Sequence, residues 1–245
     1  MQNKSETRNI SIIIPCHNAS KHITGTILKL KSFLETIDAC GEILLIENGS
    51  TDSTLEEIRN VTSIRFSKFQ IIVLKSKPGL GEALRLGVAR ASSEYIIFMA
   101  DDLPFEFQEI EETILHWHES GYFILSKYFK TTISARSNFR NVVGAVFALL
   151  REIILRTNIR DSQGSFFGSR KEMKRIFSNC DESGFLITTE AAYITRKLGI
   201  KLVEIPVRQI FESDRGKSTI TLKDVVSMFI GLLRIRHRKM VQNIW

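Results

Sequence analysis

Cysteine is scarce in this sequence, and long uncharged apolar runs are absent. The three cysteines, Cys16, Cys40 and Cys180, are an odd number without the spacing of metal ligands, so they predict reduced, buried thiols in a cytosolic protein. No uncharged apolar run reaches the ~18 residues that a membrane span needs. The polar N-terminus predicts no secretory signal. We therefore expect a protein that does not cross a bilayer by itself but can lie on one.

The composition is that of a globular protein with a basic surplus. A length of 245 residues fits one large α/β domain or two small ones, and 43% hydrophobic residues suffice for a core. The formal net charge of +7 favours anionic partners, such as nucleotides, phosphates, anionic lipids or nucleic acids. The sequence lacks a basic motif interleaved with aromatic residues, so nucleic acid is not an expected partner.

The most informative stretch is a short apolar run that ends in two aspartates. Residues 95–99 are rich in β-formers and precede Asp101 and Asp102, after which Leu103 and Pro104 cannot continue a central strand. In open α/β sheets, ligands bind at the carboxyl ends of strands. Carboxylates placed there suit a divalent cation that also holds substrate phosphates. The alternative is a solvated turn with an aspartate helix cap.

Hydrophobic periodicity predicts strands that alternate with helices through the first half of the chain. We expect a mostly parallel, Rossmann-like α/β sheet flanked by helices. The predicted strands are residues 10–14, 42–46, 69–74, 95–99, 122–126 and 202–207. The predicted helices are residues 21–39, 82–91, 105–120, 139–156, 189–198 and 219–239, with further helices beginning at Ser53 or Thr54 and at Lys171.

Six motifs follow one another in the order found in family-2 glycosyltransferases of the GT-A fold. They are SIIIPCHN from Ser11, EILLIENGSTD from Glu42, the glycine stretch from Gly79, the strand with its aspartates from Ser93, RDSQGSF from Arg160 and EIPVRQIFESDRGKS from Glu204. Each motif is weak alone, but their order on the predicted elements is specific. The chain resembles this family and, within it, the polyprenyl- and dolichyl-phosphate hexosyltransferases. The resemblance implies a tail (1–9), a GT-A domain (10–218) and a C-terminal amphipathic, basic helix (219–245).

The resemblance also implies a metal site with fewer protein ligands than is usual in the family. Asp102 keeps the second position of the D-x-D motif, whereas Ala100 and Pro104 stand where relatives have ligands. Mg²⁺ tolerates this because it keeps waters and relies on substrate phosphates. We expect Mg²⁺ or Mn²⁺ to be bound by Asp102, with Asp101 contributing directly or through water.

Further residues are implied to bind the nucleotide. The positions that cradle base, ribose and diphosphate in relatives are held here by Pro15, His17, Glu47, Ser50, Gly79 and Gly81. For His17 the alternative is a partly buried loop histidine. Because His17 and Glu47 differ from the residues usual in the family, the nucleobase stays open.

A basic set is implied to hold the diphosphate and the acceptor phosphate. It comprises Lys127, Arg140, Arg215 and Lys217, for which solvated surface charge is the alternative. Asp161 and Glu190 are implied to be acceptor-site residues, with a structural turn as the alternative for Asp161. The predicted catalytic residues are Asp102, Asp161, Arg140 and Arg215.

The implied reaction is an inverting transfer of a hexose from a nucleotide-diphosphate sugar (GDP-mannose or UDP-glucose type) to polyprenyl or dolichyl phosphate. A phosphate acceptor has a second pKa of ~6, so it needs positioning more than a general base. A saccharide hydroxyl needs a base, and Ala191 stands where saccharide polymerases of this superfamily carry one. The alternatives are a same-fold enzyme that acts on a saccharide hydroxyl and a degenerate protein that binds nucleotide sugar without turnover.

Two predicted helices, 139–156 and 219–239, have apolar faces with basic flanks. Such helices suit a membrane surface, although ordinary packing helices are the alternative. We expect a peripheral protein on the cytoplasmic face of a membrane, with a homo-oligomer or a membrane-protein partner as further possibilities.

Overall fold

The computed structural model describes residues 7–103, 107, 110–111, 120–126, 138–162, 164–207 and 222–238, with residues 138–143 and 222–225 described by their backbone alone. Within these ranges the strands are β1 (Arg8–Cys16), β2 (Ala39–Glu47), β3 (Phe69–Lys75), β4 (Tyr95–Phe98), β5 (Tyr122–Ser126), β6 (Phe166–Ser169) and β7 (Leu202–Pro206). The helices are α1 (Ile23–Leu34), α2 (Thr54–Asn60), α3 (Leu80–Arg90), α4 (Asn138–Leu155), α5 (Arg170–Phe177), α6 (Ile187–Lys197) and α7 (Leu222–His237).

The strands form one mostly parallel sheet, which confirms the predicted α/β class. Their order is β3-β2-β1-β4-β6-β5-β7. Strands β1 to β4 run parallel to one another, β5 runs parallel to β7, and β6 runs antiparallel to both of its neighbours. The carboxyl ends of the first four strands therefore meet along one edge.

Strand β6 was absent from the sequence-based prediction. It has only four residues, one of which is Gly168, and it follows a polar segment, so it carries little of the strand pattern. The segment is a strand because of its tertiary packing, since Phe166 and Phe167 are buried on opposite faces of the sheet.

The sheet separates two hydrophobic cores. In β1, Ile12 and Ile14 face the core covered by α1 and α2, whereas Ile13 faces the core covered by α3, α5 and α6. This alternation follows from the two-residue period of a strand. A strand buried on both faces reads as a continuous apolar run, which is why β1 and β2 were predictable.

The predicted helix at 21–39 was too long, since α1 ends at Leu34 and β2 begins at Ala39. Gly41 allows β2 to start this early. Its φ is +141°, and an added Cβ would lie 2.1 Å from the carbonyl oxygen of Ile10 on β1. Ala39 and Cys40 therefore belong to β2 rather than to the helix.

Helices α4, α6 and α7 begin and end within three residues of their predicted bounds, and the predicted helix at 105–120 lies mostly outside the described residues.

Helices α4 and α7 pack against each other, and Leu155, Leu232 and Ile235 join the core on the α3 side. Their outer faces keep large apolar side chains exposed, namely Val146, Leu149, Ile153, Val226, Phe229 and Ile230. None of the described helices has the length and apolar character needed to cross a membrane.

Candidate active site at the carboxyl edge of the sheet

Glu47 ends β2 and organises the turn that follows it. Its side chain is buried, and Oε1 accepts hydrogen bonds from the backbone N–H groups of Gly49 (2.7 Å) and Ser50 (2.6 Å). Its Oε2 is also buried and accepts no hydrogen bond from the described residues, while Nζ of Lys75 lies 3.7 Å away. Oε1 thus stabilises the turn, and Oε2 can accept a hydrogen bond at the edge of the sheet.

The turn after β2 is tied to the loop after β1. Asn18, whose φ of +51° lies in the left-handed region, donates its backbone N–H to Oγ of Ser50 at 3.1 Å. In return, Oδ1 of Asn18 accepts the backbone N–H of Thr51 at 2.9 Å. His17 precedes this link and is exposed, whereas Pro15 is buried within β1. The alternative interpretation of His17 as a partly buried residue is therefore wrong.

Asp52 makes a second link between the same two loops. Its Oδ2 accepts hydrogen bonds from the backbone N–H (3.3 Å) and the hydroxyl (2.6 Å) of Ser20, and its Oδ1 accepts from the backbone N–H of Thr54 at 3.0 Å. Burial would raise the pKa of Asp52, but the hydrogen bonds from Ser20 and Thr54 outweigh it and lower the pKa to about 2. Asn18 and Asp52 were not among the predicted site residues, although both stand in the motifs quoted for the resemblance.

The two aspartates after β4 occupy different environments. Asp101 is buried, and its Oδ2 lies 3.3 Å from Nε2 of His22, at the start of α1. The hydroxyl of Thr26 donates to the carbonyl oxygen of Asp101 at 2.6 Å. Asp102 is partly exposed. Among the residues that the structure describes, no three or more His, Cys, Asp or Glu side chains are grouped so that they could hold a metal ion by themselves.

The glycine loop lies beside the turn after β2. Gly79 has a φ of +118°, and its backbone N–H points to the carbonyl oxygen of Asn48 at 3.5 Å. An added Cβ on Gly81 would lie 1.9 Å from the carbonyl oxygen of Glu182. These glycines therefore permit a close approach of backbone segments, and their role in nucleotide binding stays a prediction.

Asp161 lies on a loop that is held from two sides. Its backbone N–H donates to Oε1 of Glu204, on β7, at 2.8 Å, and Arg160 donates to the same carboxylate at 2.9 Å. On the other side, the buried Arg151 of α4 donates to Oγ of Ser162 at 3.0 Å. Strand β6 begins just after this loop and runs antiparallel to β4, so the loop lies near the carboxyl edge.

The predicted basic residues cannot be placed in the same way. Lys127, Arg215 and Lys217 lie outside the described residues, and Arg140 is described only by its backbone in α4. Their assignment to phosphate binding stays a prediction.

Glu190, predicted as an acceptor-site residue, is fully buried near the start of α6. Its Oε2 accepts the backbone N–H groups of Asp181 and Glu182, and its Oε1 accepts from Arg238. Burial raises the pKa of Glu190 to about 7. The carboxylate thus caps a loop and pairs with a cation from the segment after α7.

The parallel strands, the linked turns after β1 and β2 and the aspartates after β4 are the arrangement of a GT-A glycosyltransferase. The sequence model of Glycosyl transferase family 2 matches residues 11–177, so the chain belongs to this family and is a glycosyltransferase. The predicted family is confirmed.

Similar proteins support the same fold. The dolichyl-phosphate beta-glucosyltransferase of Dictyostelium discoideum is 25% identical over 262 residues, covering 100% of this chain and 79% of the relative. The human dolichyl-phosphate beta-glucosyltransferase is 24% identical over 250 residues, covering 96% and 76%. Glucosyl-3-phosphoglycerate synthase from Mycobacterium tuberculosis in complex with UDP matches with a TM-score of 0.60 and 19% identity over 94% of this chain and 80% of that chain. Its complex with Mn²⁺, UDP-glucose and phosphoglyceric acid gives a TM-score of 0.57 and 17% identity, covering 94% and 79%.

Proposed function

We propose that the protein transfers glucose from UDP-glucose to a polyprenyl or dolichyl phosphate, with inversion at the anomeric carbon. The observation that carries this proposal is the buried Oε2 of Glu47, which accepts no hydrogen bond from the described residues. A buried acceptor left without a donor is unfavourable, and a nucleobase N–H would satisfy it. The names of the similar dolichyl-phosphate beta-glucosyltransferases favour glucose and a lipid-phosphate acceptor.

The donor pocket would be formed by the linked loops after β1 and β2. Pro15, His17 and Ser50 would contact base and ribose beside Glu47, and the glycine loop at residues 79–81 would border the pocket. The hydrogen bonds that Asn18 donates to Ser50 and accepts from Thr51 would preorganise this pocket before the nucleotide binds.

The carboxylate of Asp102 fits a divalent cation, because a hard carboxylate oxygen at the carboxyl edge is the donor that Mg²⁺ or Mn²⁺ prefers. Water and diphosphate oxygens would complete the coordination. Asp101 would act beside it, either directly or through water. When bound, the ion would neutralise charge on the departing diphosphate.

The acceptor phosphate would bind between the Asp161 loop and the basic residues Lys127, Arg140, Arg215 and Lys217. At neutral pH a phosphate monoester is largely ionised, so it can attack without a general base. The clamp of Glu204 on the backbone of Asp161 would keep the acceptor side fixed relative to the donor side. Asp161 would orient the acceptor, and the cations would bind its charge and that of the leaving group.

A lipid acceptor would bring the enzyme to a membrane surface, and we propose its cytoplasmic face. The exposed apolar side chains of α4 and α7 would enter the interface, among them Leu149 (61% exposed) and Ile153 (62% exposed). In this arrangement the GT-A domain spans residues 10–218 and the C-terminal helix follows it. A homo-oligomer or a membrane-protein partner would compete for the same apolar face.

The test is a transfer assay with labelled UDP-glucose or GDP-mannose, a short polyprenyl phosphate and Mg²⁺ or Mn²⁺, followed by extraction into organic solvent. We expect acid-labile labelled lipid from UDP-glucose, and about 10²–10³-fold less from the Asp102→Ala variant. Label confined to water-soluble saccharide would instead identify a hydroxyl acceptor. Nucleotide binding without any transfer would identify a degenerate enzyme.

A further inference from the structure

The glycine loop does not hold its position alone, because a segment from the second half of the chain packs onto it. The backbone N–H of Gly81 donates to the carbonyl oxygen of Ser183 at 2.8 Å, and the missing side chain of Gly81 leaves room for Glu182. Nη1 of Arg85, on α3, donates to the carbonyl oxygen of Glu182 at 2.7 Å. We call residues 181–183 the bracing loop.

The bracing loop is in turn held by Glu190. Oε2 of Glu190 accepts the backbone N–H groups of Asp181 (2.9 Å) and Glu182 (2.8 Å). Since Glu190 has no solvent-exposed surface, these bonds are shielded from water and fix the loop relative to α6.

The remaining oxygen of Glu190 links this assembly to the C-terminal helix. Nη1 of Arg238, the residue after α7, lies 2.5 Å from Oε1 of Glu190, and Arg238 also pairs with Asp181. One turn earlier, Nη1 of Arg234 lies 3.8 Å from Oε1 of Glu182. These side chains line a cleft of about 460 Å³ between α7 and the bracing loop.

On the other side, the glycine loop contacts the turn after β2. The N–H of Gly79 faces the carbonyl oxygen of Asn48, and an added Cβ on Gly49 would lie 2.7 Å from Cβ of Pro78. A continuous series of contacts therefore runs from Arg238 through Glu190, the bracing loop and the glycine loop to the turn that Glu47 organises.

We propose that Arg238 and Glu190 are positioning residues for the donor site and that the docked end of α7 is part of that site's support. This inference rests on the proposed function, since it takes the edge beside Glu47 as the nucleotide pocket. Loss of Arg238 leaves the buried carboxylate of Glu190 without its nearest cation, which loosens the bracing loop. The glycine loop then samples more conformations, so binding of the nucleotide must order it again.

The test compares Arg238→Ala with Arg236→Ala, which removes the same charge from an exposed position in the last turn of α7. Two measurements are made without lipid: the Kd of UDP by calorimetry, and hydrogen exchange of the amides at residues 79–83. For Arg238→Ala we expect the Kd to rise about tenfold and the Gly81 amide to exchange about tenfold faster. Both values should stay unchanged in Arg236→Ala.

Further variants keep the inference testable if Arg238→Ala does not fold. Glu190→Gln keeps a carbonyl oxygen for the bracing loop but removes the charge that binds Arg238. We expect a smaller effect from Glu190→Gln, and the double variant with Arg238→Ala should be no worse than Arg238→Ala alone. Arg238→Lys, which keeps the charge, should recover most of the UDP affinity.

Unchanged exchange at residues 79–83 in both Arg238→Ala and Glu190→Gln would overturn the inference, whatever the ligand. A lower melting temperature of Arg238→Ala with unchanged UDP affinity of the folded protein would also overturn it. That result would mean that Arg238 stabilises the fold but does not position the donor site. If exchange accelerates but the wild-type protein does not bind UDP, the bracing contact is supported and the proposed function fails.

Discussion

Asp101 faces His22, with Oδ2 of the aspartate 3.3 Å from Nε2 of the imidazole. The buried carboxylate of Asp101 is thus directed to the start of α1, whereas the neighbouring Asp102 is partly exposed. Adjacent residues of one motif therefore differ in environment: Asp101 ties the end of β4 to the start of α1, and Asp102 is the residue that we propose to serve the site.

Substitution of the two aspartates should separate these tasks. Asp102→Ala should reduce transfer by about 10²–10³-fold, as expected when a group that stabilises developing charge is removed. Asp101→Ala should lower the melting temperature and reduce transfer less, because Asp101 contacts His22 and Thr26 at the start of α1. Transfer and thermal unfolding are measured on both variants at saturating Mn²⁺. The reverse ranking of activities would mean that Asp101 is the metal ligand.

Gly81→Ala should displace the bracing loop. The added methyl group would lie 1.9 Å from the carbonyl oxygen of Glu182, and a backbone atom cannot move aside as a flexible side chain does. We expect a loss of about 1–3 kcal/mol in the free energy of unfolding, together with weaker UDP binding. Gly184→Ala is the control, because nothing lies within 4 Å of its added Cβ. Equal effects of the two substitutions would contradict this account of the loop.

Asp52 should make stability depend on acidic pH. Its pKa of about 2 lies below the ordinary value of 3.8, so the ionised carboxylate stabilises the folded state above about pH 4. This contribution is lost as the pH falls from about 4 to about 2. Because Asp52 is exposed, we expect only about 1 kcal/mol between wild type and Asp52→Asn at pH 7. Urea unfolding between pH 7 and 2.5 should show this difference narrowing, and a constant difference would exclude a role for the charge.

The exposed face of α4 should bind membranes. Leu149→Ser combined with Ile153→Ser removes two side chains that are 61% and 62% exposed, so the fold should be unaffected. Burial of a Leu or Ile side chain contributes about 1.5–3 kcal/mol, so binding to anionic vesicles should fall at least tenfold in a sedimentation assay. Leu28→Ser, on α1, provides the control, because Leu28 is 50% exposed on the opposite side of the sheet. If the Leu28 variant loses as much binding, the apolar face of α4 is not the contact.

The sheet could be predicted from the sequence because strands buried on both faces leave continuous apolar runs. The run at 122–126 coincides with β5, and the run at 10–14 lies inside β1. Strand β6 escaped prediction since four residues with a glycine carry almost no pattern, and only the neighbouring strands make Phe166 and Phe167 part of the sheet.

The positions of the candidate site residues in the fold could be predicted from the sequence, but their contacts could not. The motifs locate Glu47 and Asp102 at the sheet edge, because strand ends can be read from the apolar runs. The contact of Glu190 with Arg238 joins residues 48 positions apart, and no local pattern indicates which acid meets which base. For the same reason the link from Asp52 to Ser20 became visible only when β1 and β2 were placed side by side.

The reversed direction of β6 has a consequence for which segments can change without disturbing the sheet. Ile124 pairs with Phe166, so the chain leaves the sheet after β5 and returns to it at the same edge, as in a β-hairpin with a long insertion. The described segments between these two positions, α4 and the Asp161 loop, therefore form an excursion whose ends stay joined. Substitutions or insertions in α4 or in the Asp161 loop need not disturb the parallel register of β1 to β4.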